Sequence, residues 1–272
     1  MLDFALNQVT MSTAPLGEFL ETAAGLGCVG VELRNDLGRK VFDGMDPADA
    51  GALVRAHGLR LLGVSQVYPF NRWSDAIATE VISLIETAGA AGAETISLIP
   101  CNDGTGTDPS ARGADLANAL EHCLPMLERA GMLALVEPLG FERASLREKS
   151  ELVAAIDKRG AGDRIKLVHD TFHHALSGGG PIFADRTGIV HISGVTDATL
   201  PVERFEDEHR VLVDGEDRLD NLGQIKALTD AGYAGVFSFE CFAPEVRDLA
   251  DPAAAIRRSI DFISSQLRRT AA

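Results

Sequence analysis

Short apolar runs alternate along the chain with longer amphipathic stretches, and a glycine commonly precedes each run. Gly27 precedes VGVEL at 29–33, for example, and Gly131 precedes MLALV at 132–136. Runs of four to six apolar residues are typical of strands buried on both faces of a parallel sheet. Glycine suits the end of a helix, because it adopts the left-handed conformation without a Cβ clash. The glycines at which helices are expected to end are Gly27, Gly58, Gly92, Gly131, Gly162 and Gly232.

The amphipathic stretches carry apolar residues at helical spacing, which predicts one buried face on each helix. The predicted buried faces include Leu16, Phe19, Leu20, Ala23 and Leu26; Ile77, Val81, Leu84, Ile85 and Ala88; and Ile256, Ile260, Ile263 and Leu267. Asp46-Pro47 and Asp251-Pro252 indicate helix starts, since Asp caps the first turn and Pro fits within it.

Counting the apolar runs gives eight strands, each followed by a helix. The predicted strands are 4–7, 29–33, 59–64, 95–99, 132–137, 165–170, 189–193 and 236–240. Uninterrupted alternation predicts a parallel sheet with right-handed crossovers, and eight units favour closure into a barrel. No linker, GxGxxG segment or P-loop occurs in the sequence. We therefore predict the α/β class, with a single (β/α)8 TIM-barrel domain over residues 1–272.

Composition narrows the functions. The chain has 40 acidic and 25 basic residues and a formal charge of −15, which disfavours nucleic acid and suits a metal cation. No apolar run reaches the roughly 20 residues that span a bilayer, and the N-terminus lacks a basic signal-type region. We expect no membrane partner and a cytoplasmic location. The cysteines, which we expect to be buried free thiols, are Cys28, Cys101, Cys123 and Cys241.

Ionisable residues close the last four predicted strands, which are otherwise apolar: Glu137, Asp170, His191 and Glu240. Active sites of such barrels lie at the C-terminal ends of the strands, so these side chains should converge. Three adjacent carboxylates would repel one another, and a divalent cation relieves that repulsion. Oxygen and imidazole ligands predict one Mn, Mg, Co or Zn ion. The alternative is four unrelated polar residues, each ending its own strand.

Other polar and aromatic residues are expected near the barrel mouth. Glu32 and Arg34 end the second strand and either bind substrate hydroxyls or pair with each other. Trp73, in the loop after the third strand, either stacks on a ring of the substrate or covers the site as a lid, or simply packs against the protein. His169 and His174 flank the sixth strand end and are expected to point away from the mouth.

Four segments carry a family resemblance: VEPLG at 136–140, HDTFH at 169–173, VHISG at 190–194 and FSFEC at 237–241. With them the whole chain resembles the xylose isomerase-like TIM-barrel superfamily of sugar isomerases and epimerases, which includes endonuclease IV-type repair enzymes. Within it the chain is most similar to the inosose (2-keto-myo-inositol) isomerase-like branch of inositol catabolism.

The resemblance implies specific roles. Its implied metal ligands are Glu137, Asp170, His191 and Glu240. Glu137 and Glu240 would also transfer protons, His173 would contact a substrate oxygen, and Arg210 is the candidate for a basic substrate-binding residue. The epimerases of this superfamily often carry a further Glu six residues after the first ligand. Here the nearest is Glu142, five residues on, and no role is assigned to it.

The expected reaction is isomerisation or epimerisation of a small sugar or cyclitol ketone through an enediolate. Loss of a β-hydroxyl from the same enediolate would make the enzyme a dehydratase. DNA repair is disfavoured, because the repair branch has histidines at the third and fourth strand ends, where this chain has Ser65-Gln66 and Cys101-Asn102. A non-catalytic barrel is the remaining alternative. A homodimer or homotetramer is compatible with the helical exterior.

Overall fold

The computed structural model describes residues 2–270. Eight parallel strands close into a barrel in sequence order, and β1 completes the ring by pairing with β8. The strands are β1 (Asp3–Asn7), β2 (Gly30–Arg34), β3 (Arg60–Val67), β4 (Thr95–Leu98), β5 (Leu133–Val136), β6 (Ile165–Asp170), β7 (Thr187–Ile192) and β8 (Val236–Phe239). The predicted (β/α)8 fold is confirmed.

Helices surround the barrel. They are α1 (Leu16–Leu26), α2 (Pro47–Ala56), α3 (Asp75–Ala91), α4 (Pro109–Ala130), α5 (Lys149–Arg159), α6 (Thr171–Leu176), α7 (Asn221–Asp230), α8 (Pro244–Arg247) and α9 (Pro252–Thr270). The connection from β7 to α7 contains two short 3-10 turns, Val202–Arg204 and Asp207–His209, and is otherwise irregular. Over residues 2–270, no helix has both the length and the apolarity that a membrane crossing requires.

Helix boundaries follow the predicted capping residues with one exception. Gly27 and Gly92 have φ values of 75° and 73° and end α1 and α3 in the left-handed conformation. Asp46 accepts from Ala48 N at 2.9 Å, and Asp251 accepts from Ala254 N at 2.9 Å, so both predicted helix starts are confirmed. The prediction for Gly162 was wrong. Gly160, with φ 61°, ends α5 instead, and a short turn leads from there into β6.

The barrel interior has an apolar floor beneath its mouth. Leu135, Val168 and Ile189 belong to one buried cluster inside the lower part of the barrel. Each lies two residues before Glu137, Asp170 or His191, and strand side chains repeat their direction every second residue. Each of these strands therefore points an apolar side chain into the barrel and, two residues further along, an ionisable side chain into its mouth. A larger cluster packs the helices against the outside of the strands.

Candidate metal centre

The four predicted ligands converge at the C-terminal mouth of the barrel. Each offers one ligand atom, and these atoms all lie within 4.8 Å of one another. The residues are buried, with exposures of 6% for Glu137, 3% for Asp170, 3% for His191 and 2% for Glu240. Glu137 and Glu240 lie one residue beyond β5 and β8, and Asp170 and His191 lie within β6 and β7.

Unpartnered atoms inside this cluster test whether a cation fits. Glu137 Oε1 and His191 Nδ1 lie 3.4 Å apart, and within the described chain neither has a hydrogen-bond partner. Polar atoms buried to this degree are ordinarily satisfied. An ion between them would satisfy both, and three carboxylate groups with one imidazole suit Mn, Co, Zn or Mg. The residues present therefore fit one divalent ion.

The other nitrogen of His191 faces Glu32. His191 Nε2 lies 3.1 Å from Glu32 Oε2, and the two side chains are almost fully buried. A carboxylate only accepts, so Nε2 carries the proton and Nδ1 is the nitrogen left for a metal. Glu32 thus orients a predicted ligand. The alternative in which Glu32 and Arg34 pair with each other does not occur in the structure, where they pair with His191 and with Asp36 and Glu240, respectively.

Arg34 contacts the predicted ligand Glu240 and also Asp36, which lies in the loop that follows β2. Its Nη1 donates to Glu240 Oε1 at 2.8 Å, while its Nε and Nη2 donate to the two Asp36 oxygens at 2.8 and 2.7 Å. Asn7 Nδ2 also donates to Glu240 Oε1, at 3.2 Å. Arg34 lies at the cavity wall, but its guanidinium is already engaged by two carboxylates.

Arg210 lies beside the four ligands although it is distant from most of them in sequence. Its Nη2 donates to Asp170 Oδ2 at 2.5 Å and to Glu240 Oε2 at 2.8 Å. Its Nη1 donates to Asp207 Oδ1 at 3.2 Å and its Nε to Ser193 Oγ at 3.0 Å. Arg210 therefore fixes the orientation of two predicted ligands and also lines the cavity.

His173 lies at the cavity with one nitrogen unpaired. Its ring packs edge-on against Phe141 and Phe172, with centroids 5.2 Å away in each case. Within the part of the chain that the structure describes, its buried Nδ1 has no hydrogen-bond partner. Burial lowers the pKa of His173, so the ring is neutral and offers one donor and one acceptor. His173 thus contributes a neutral ring to the wall of the cavity.

The two glutamates differ electrostatically. Burial raises the pKa of Glu137, and the Glu240 carboxylate raises it further. Burial would also raise the pKa of Glu240, but His191 and Arg210 outweigh that effect and hold the pKa well below its usual range. For His191, burial opposes protonation, yet Glu240 and Glu32 raise its pKa well above the usual value. A metal binding at Nδ1 therefore competes with protons.

A cavity of about 230 Å³ opens above the ligands. Its walls include Tyr68, Phe141 and Phe242, and the Tyr68 hydroxyl accepts from Asn102 N at 3.2 Å. Trp73, expected near substrate, is not among the described residues that line this cavity. Its ring instead stacks on His122 of α4, with centroids 5.1 Å apart, and it packs against the core. The structure therefore favours the packing alternative for Trp73.

A second ionisable cluster lies behind the site. Lys149 Nζ is 3.0 Å from His169 Nδ1 and 2.8 Å from His174 Nδ1, and His169 Nε2 is 3.0 Å from Gln224 Oε1. Gln224 donates its amide to two carbonyls, so its oxygen must accept from His169. His169 and His174 accordingly face away from the mouth, as expected, and for His169 strand alternation accounts for this direction.

Sequence reasoning missed several contributors to the site. The role of Glu32 as partner of His191, and the contacts of Asn7, Asp36 and Asp207, were not predicted. Asn7 and Glu32 follow the same alternation as the ligands, so the inward period of β1 and β2 could have identified them. Asp36 and Asp207 lie in loops, where no periodic signal exists.

Comparison with known proteins gives one family. The model of the xylose isomerase-like TIM barrel family matches residues 20–266. A solved xylose isomerase domain containing protein from Salmonella typhimurium LT2 is 30% identical, with 97% of each chain covered and a TM-score of 0.86. A search of curated proteins found no match.

Two more distant structures share the fold. IolI protein, solved with a zinc atom, is 19% identical over 98% of this chain and 99% of its own, with a TM-score of 0.86. L-ribulose 3-epimerase is 19% identical over 100% and 97% of the two chains, with a TM-score of 0.74. Together with the family match over almost the entire barrel, the closed fold shows that this chain belongs to the xylose isomerase-like TIM barrel family.

Proposed function

We propose that the protein is a divalent-metal-dependent isomerase or epimerase of a small sugar or cyclitol ketone, acting through an enediolate. The observation that carries this proposal is the buried set Glu137, Asp170, His191 and Glu240, whose ligand atoms lie within 4.8 Å of one another at the barrel mouth. A bound divalent ion would supply Lewis acidity toward the ketone oxygen and its neighbouring hydroxyl.

Proton transfer is assigned to Glu137 and Glu240. They follow β5 and β8, so their carboxylates enter the site from different sides of the ring. Glu137 is the freer of the two, because Glu240 accepts from Asn7, Arg34 and Arg210. One carboxylate removes the proton next to the carbonyl, and the other returns a proton to the opposite face or to the adjacent carbon. General acid–base catalysis of this kind contributes about 10²–10⁴-fold.

Two further side chains are assigned to the substrate. His173 lines the cavity and is proposed to contact a substrate oxygen through its ring. Arg210, held by Asp170, Asp207 and Ser193, has little freedom to move and is proposed to orient the ligands and the substrate together. The buried floor beneath them restricts the entry of water from below.

Relatives of this fold agree with the proposal at the level of chemistry. The structures that share the fold include IolI protein with a zinc atom and L-ribulose 3-epimerase. The first is consistent with a metal site in this kind of barrel, and the second with epimerisation of a sugar in it. They support the reaction class and leave the substrate to experiment.

The test combines metal analysis with a substrate screen. Purified protein should contain about one divalent ion per chain and convert at least one ketose or inosose in a panel. Glu137→Gln and Glu240→Gln keep an oxygen ligand but remove the base, so they should retain most of the metal and lose at least 10²-fold in turnover. Glu142→Gln, an exposed change five residues from Glu137, is the matched control and should behave as wild type.

Three outcomes would contradict the proposal. A fully active metal-free preparation would remove the metal from the mechanism. Wild-type turnover in both Glu→Gln variants would leave the two carboxylates without a catalytic role. A product lighter than the substrate by one water would identify a dehydratase that uses the same site.

A further inference from the structure

The residues at the cavity wall and the volume of the cavity limit the charge and size of the substrate. We infer, resting on the proposed function, that the substrate is neutral and unphosphorylated and consists of one sugar or cyclitol unit. Three features of the cavity support this inference: the two arginines at its wall, the balance of charge around it, and its volume.

Neither arginine at the wall is available as a phosphate receptor. Arg34 donates three hydrogen bonds, two to Asp36 and one to Glu240. Arg210 donates to Asp170, Asp207 and Glu240. A phosphate is commonly bound by two parallel donors of one guanidinium, and here those donors already face carboxylates. A phosphorylated substrate would have to displace a carboxylate from a buried arginine and leave that carboxylate unpaired.

The charges around the cavity also exclude a dianion. Among the described residues at the wall, two are cationic, Arg34 and Arg210, and four are anionic, namely Asp36, Glu137, Asp207 and Glu240. The net formal charge of these six side chains is −2, and one bound divalent ion would balance it. Asp170 is not among these wall residues, but its carboxylate lies within 4.8 Å of those of Glu137 and Glu240 and adds a further negative charge. No positive charge then remains for a phosphate, whereas hydroxyl groups suit both the carboxylates and the arginine edges.

The next arginine outward is engaged in the same way. Arg143 donates to both oxygens of Glu206, at 2.8 and 2.5 Å, and its guanidinium lies 4.1 Å from the centroid of the Phe141 ring. Phe141 is itself part of the cavity wall. The described surroundings of the mouth therefore place a paired arginine, and not a free one, beside this aromatic wall.

The volume limits the substrate to one ring. Pockets that bury drug-sized ligands measure about 300–1,000 Å³, and this cavity measures about 230 Å³. Tyr68 and Asn102 are joined by a hydrogen bond at the wall, and Phe242 closes another side. A ketohexose or an inosose suits this space, and a second sugar ring would extend past the aromatic wall into solvent.

The test measures binding to metal-loaded wild-type protein by isothermal titration calorimetry. The probes are D-fructose, scyllo-inosose and D-fructose 6-phosphate. We expect at least one neutral ketone to bind at least tenfold more tightly than the phosphate ester. Asp36→Asn and Asp207→Asn each release an arginine donor from a carboxylate. Either variant should therefore lower, at least threefold, the ratio of the dissociation constant of the phosphate ester to that of the neutral ketone. Glu142→Gln, an exposed change, is the control and should leave the ratio unchanged.

Several results would overturn the inference: equal or tighter binding of the phosphate ester to wild type, no measurable binding of either neutral ketone, or a ratio unaffected by both Asp→Asn changes. Exchange of solvent deuterium into the bound neutral ketone is scored separately. Selective binding without exchange would refute the proposed function and leave the inference on charge and size in place. Exchange into the ester with tighter ester binding would refute the inference and support the proposed chemistry.

Discussion

Glu32→Gln tests the architecture around the metal centre without removing a ligand. Glu32 Oε2 lies 3.1 Å from His191 Nε2, and the two residues are only 1% and 3% exposed. The substitution preserves side-chain volume and removes the negative charge that makes the imidazole a stronger ligand. A glutamine can still accept from Nε2 through its oxygen, so the expected effect is electronic and orientational rather than steric.

The magnitude follows from the position of Glu32 behind the ligand. Losing such a partner typically lowers metal affinity about 10–100-fold, which corresponds to about 1.4–2.7 kcal/mol. Within the described residues, Glu32 Oε1 already has no hydrogen-bond partner, so a glutamine amide there exchanges one unsatisfied buried polar group for another. We therefore expect the main effect of the substitution on metal binding, with a smaller effect on the free energy of unfolding.

The assay is a competition for Mn²⁺ or Zn²⁺ between the protein and a chromophoric chelator at fixed pH. Glu94→Gln is the matched control. Glu94 pairs with Arg60 on the exposed surface, just before β4 and therefore at the opposite end of the barrel from the site. It should leave metal affinity unchanged. If Glu32→Gln keeps its metal affinity within about twofold of wild type while remaining folded, the claim that Glu32 tunes His191 is refuted.

Three further predictions concern other parts of the structure. Asp170→Ala should abolish stoichiometric metal binding by elemental analysis, and a full complement of metal would remove Asp170 from the ligand set. Burial lowers the pKa of Lys149 to about 7, whereas in the unfolded chain the pKa of a lysine is about 10. Between these pH values the Lys149 side chain is protonated in the unfolded chain and largely neutral in the folded one, so the free energy of unfolding rises with pH. In urea unfolding, the free energy of unfolding of the wild type, relative to that of Lys149→Met, should rise by up to about 1.4 kcal/mol per pH unit over this range. Unfolding free energies that depend on pH in the same way in both proteins would contradict this. Trp73→Leu should lower the melting temperature, through its lost contact with His122, and change KM less than twofold; a large KM effect would restore a substrate role.

The fold was predictable because each element carries its own local signal. Apolar runs such as 165–168 indicate buried strands, and the glycines that end the preceding helices indicate where those helices stop. Alternation then fixes which strand residues face inward, so Asp170 and His191 point to the mouth and His169 points to the helices. The error at Gly162 arose because Gly160 also satisfies the left-handed end of α5, and sequence alone does not rank two nearby glycines.

The remaining parts of the site depend on contacts that no local pattern encodes. Glu32 and His191 are 159 residues apart and meet only because the barrel closes. Arg210 follows an irregular connection whose 3-10 turns lack periodicity, and its contacts to Asp170 and Glu240 depend on that path. Trp73 follows the third strand, and its place in the sequence therefore suggested a contact with substrate. In the structure its ring packs on His122 of α4 and not in the cavity.

Solvent exchange tests the central claim most directly. Metal-loaded protein is incubated in heavy water with a ketose or inosose that it converts, and deuterium at the carbon next to the carbonyl is followed by NMR at low conversion. Proton transfer through Glu137 and Glu240 predicts one deuterium at that carbon in the product, with incorporation lost in both Glu→Gln variants. If the wild-type protein forms product that contains no solvent deuterium, the account is contradicted, and a hydride shift between neighbouring carbons is indicated instead.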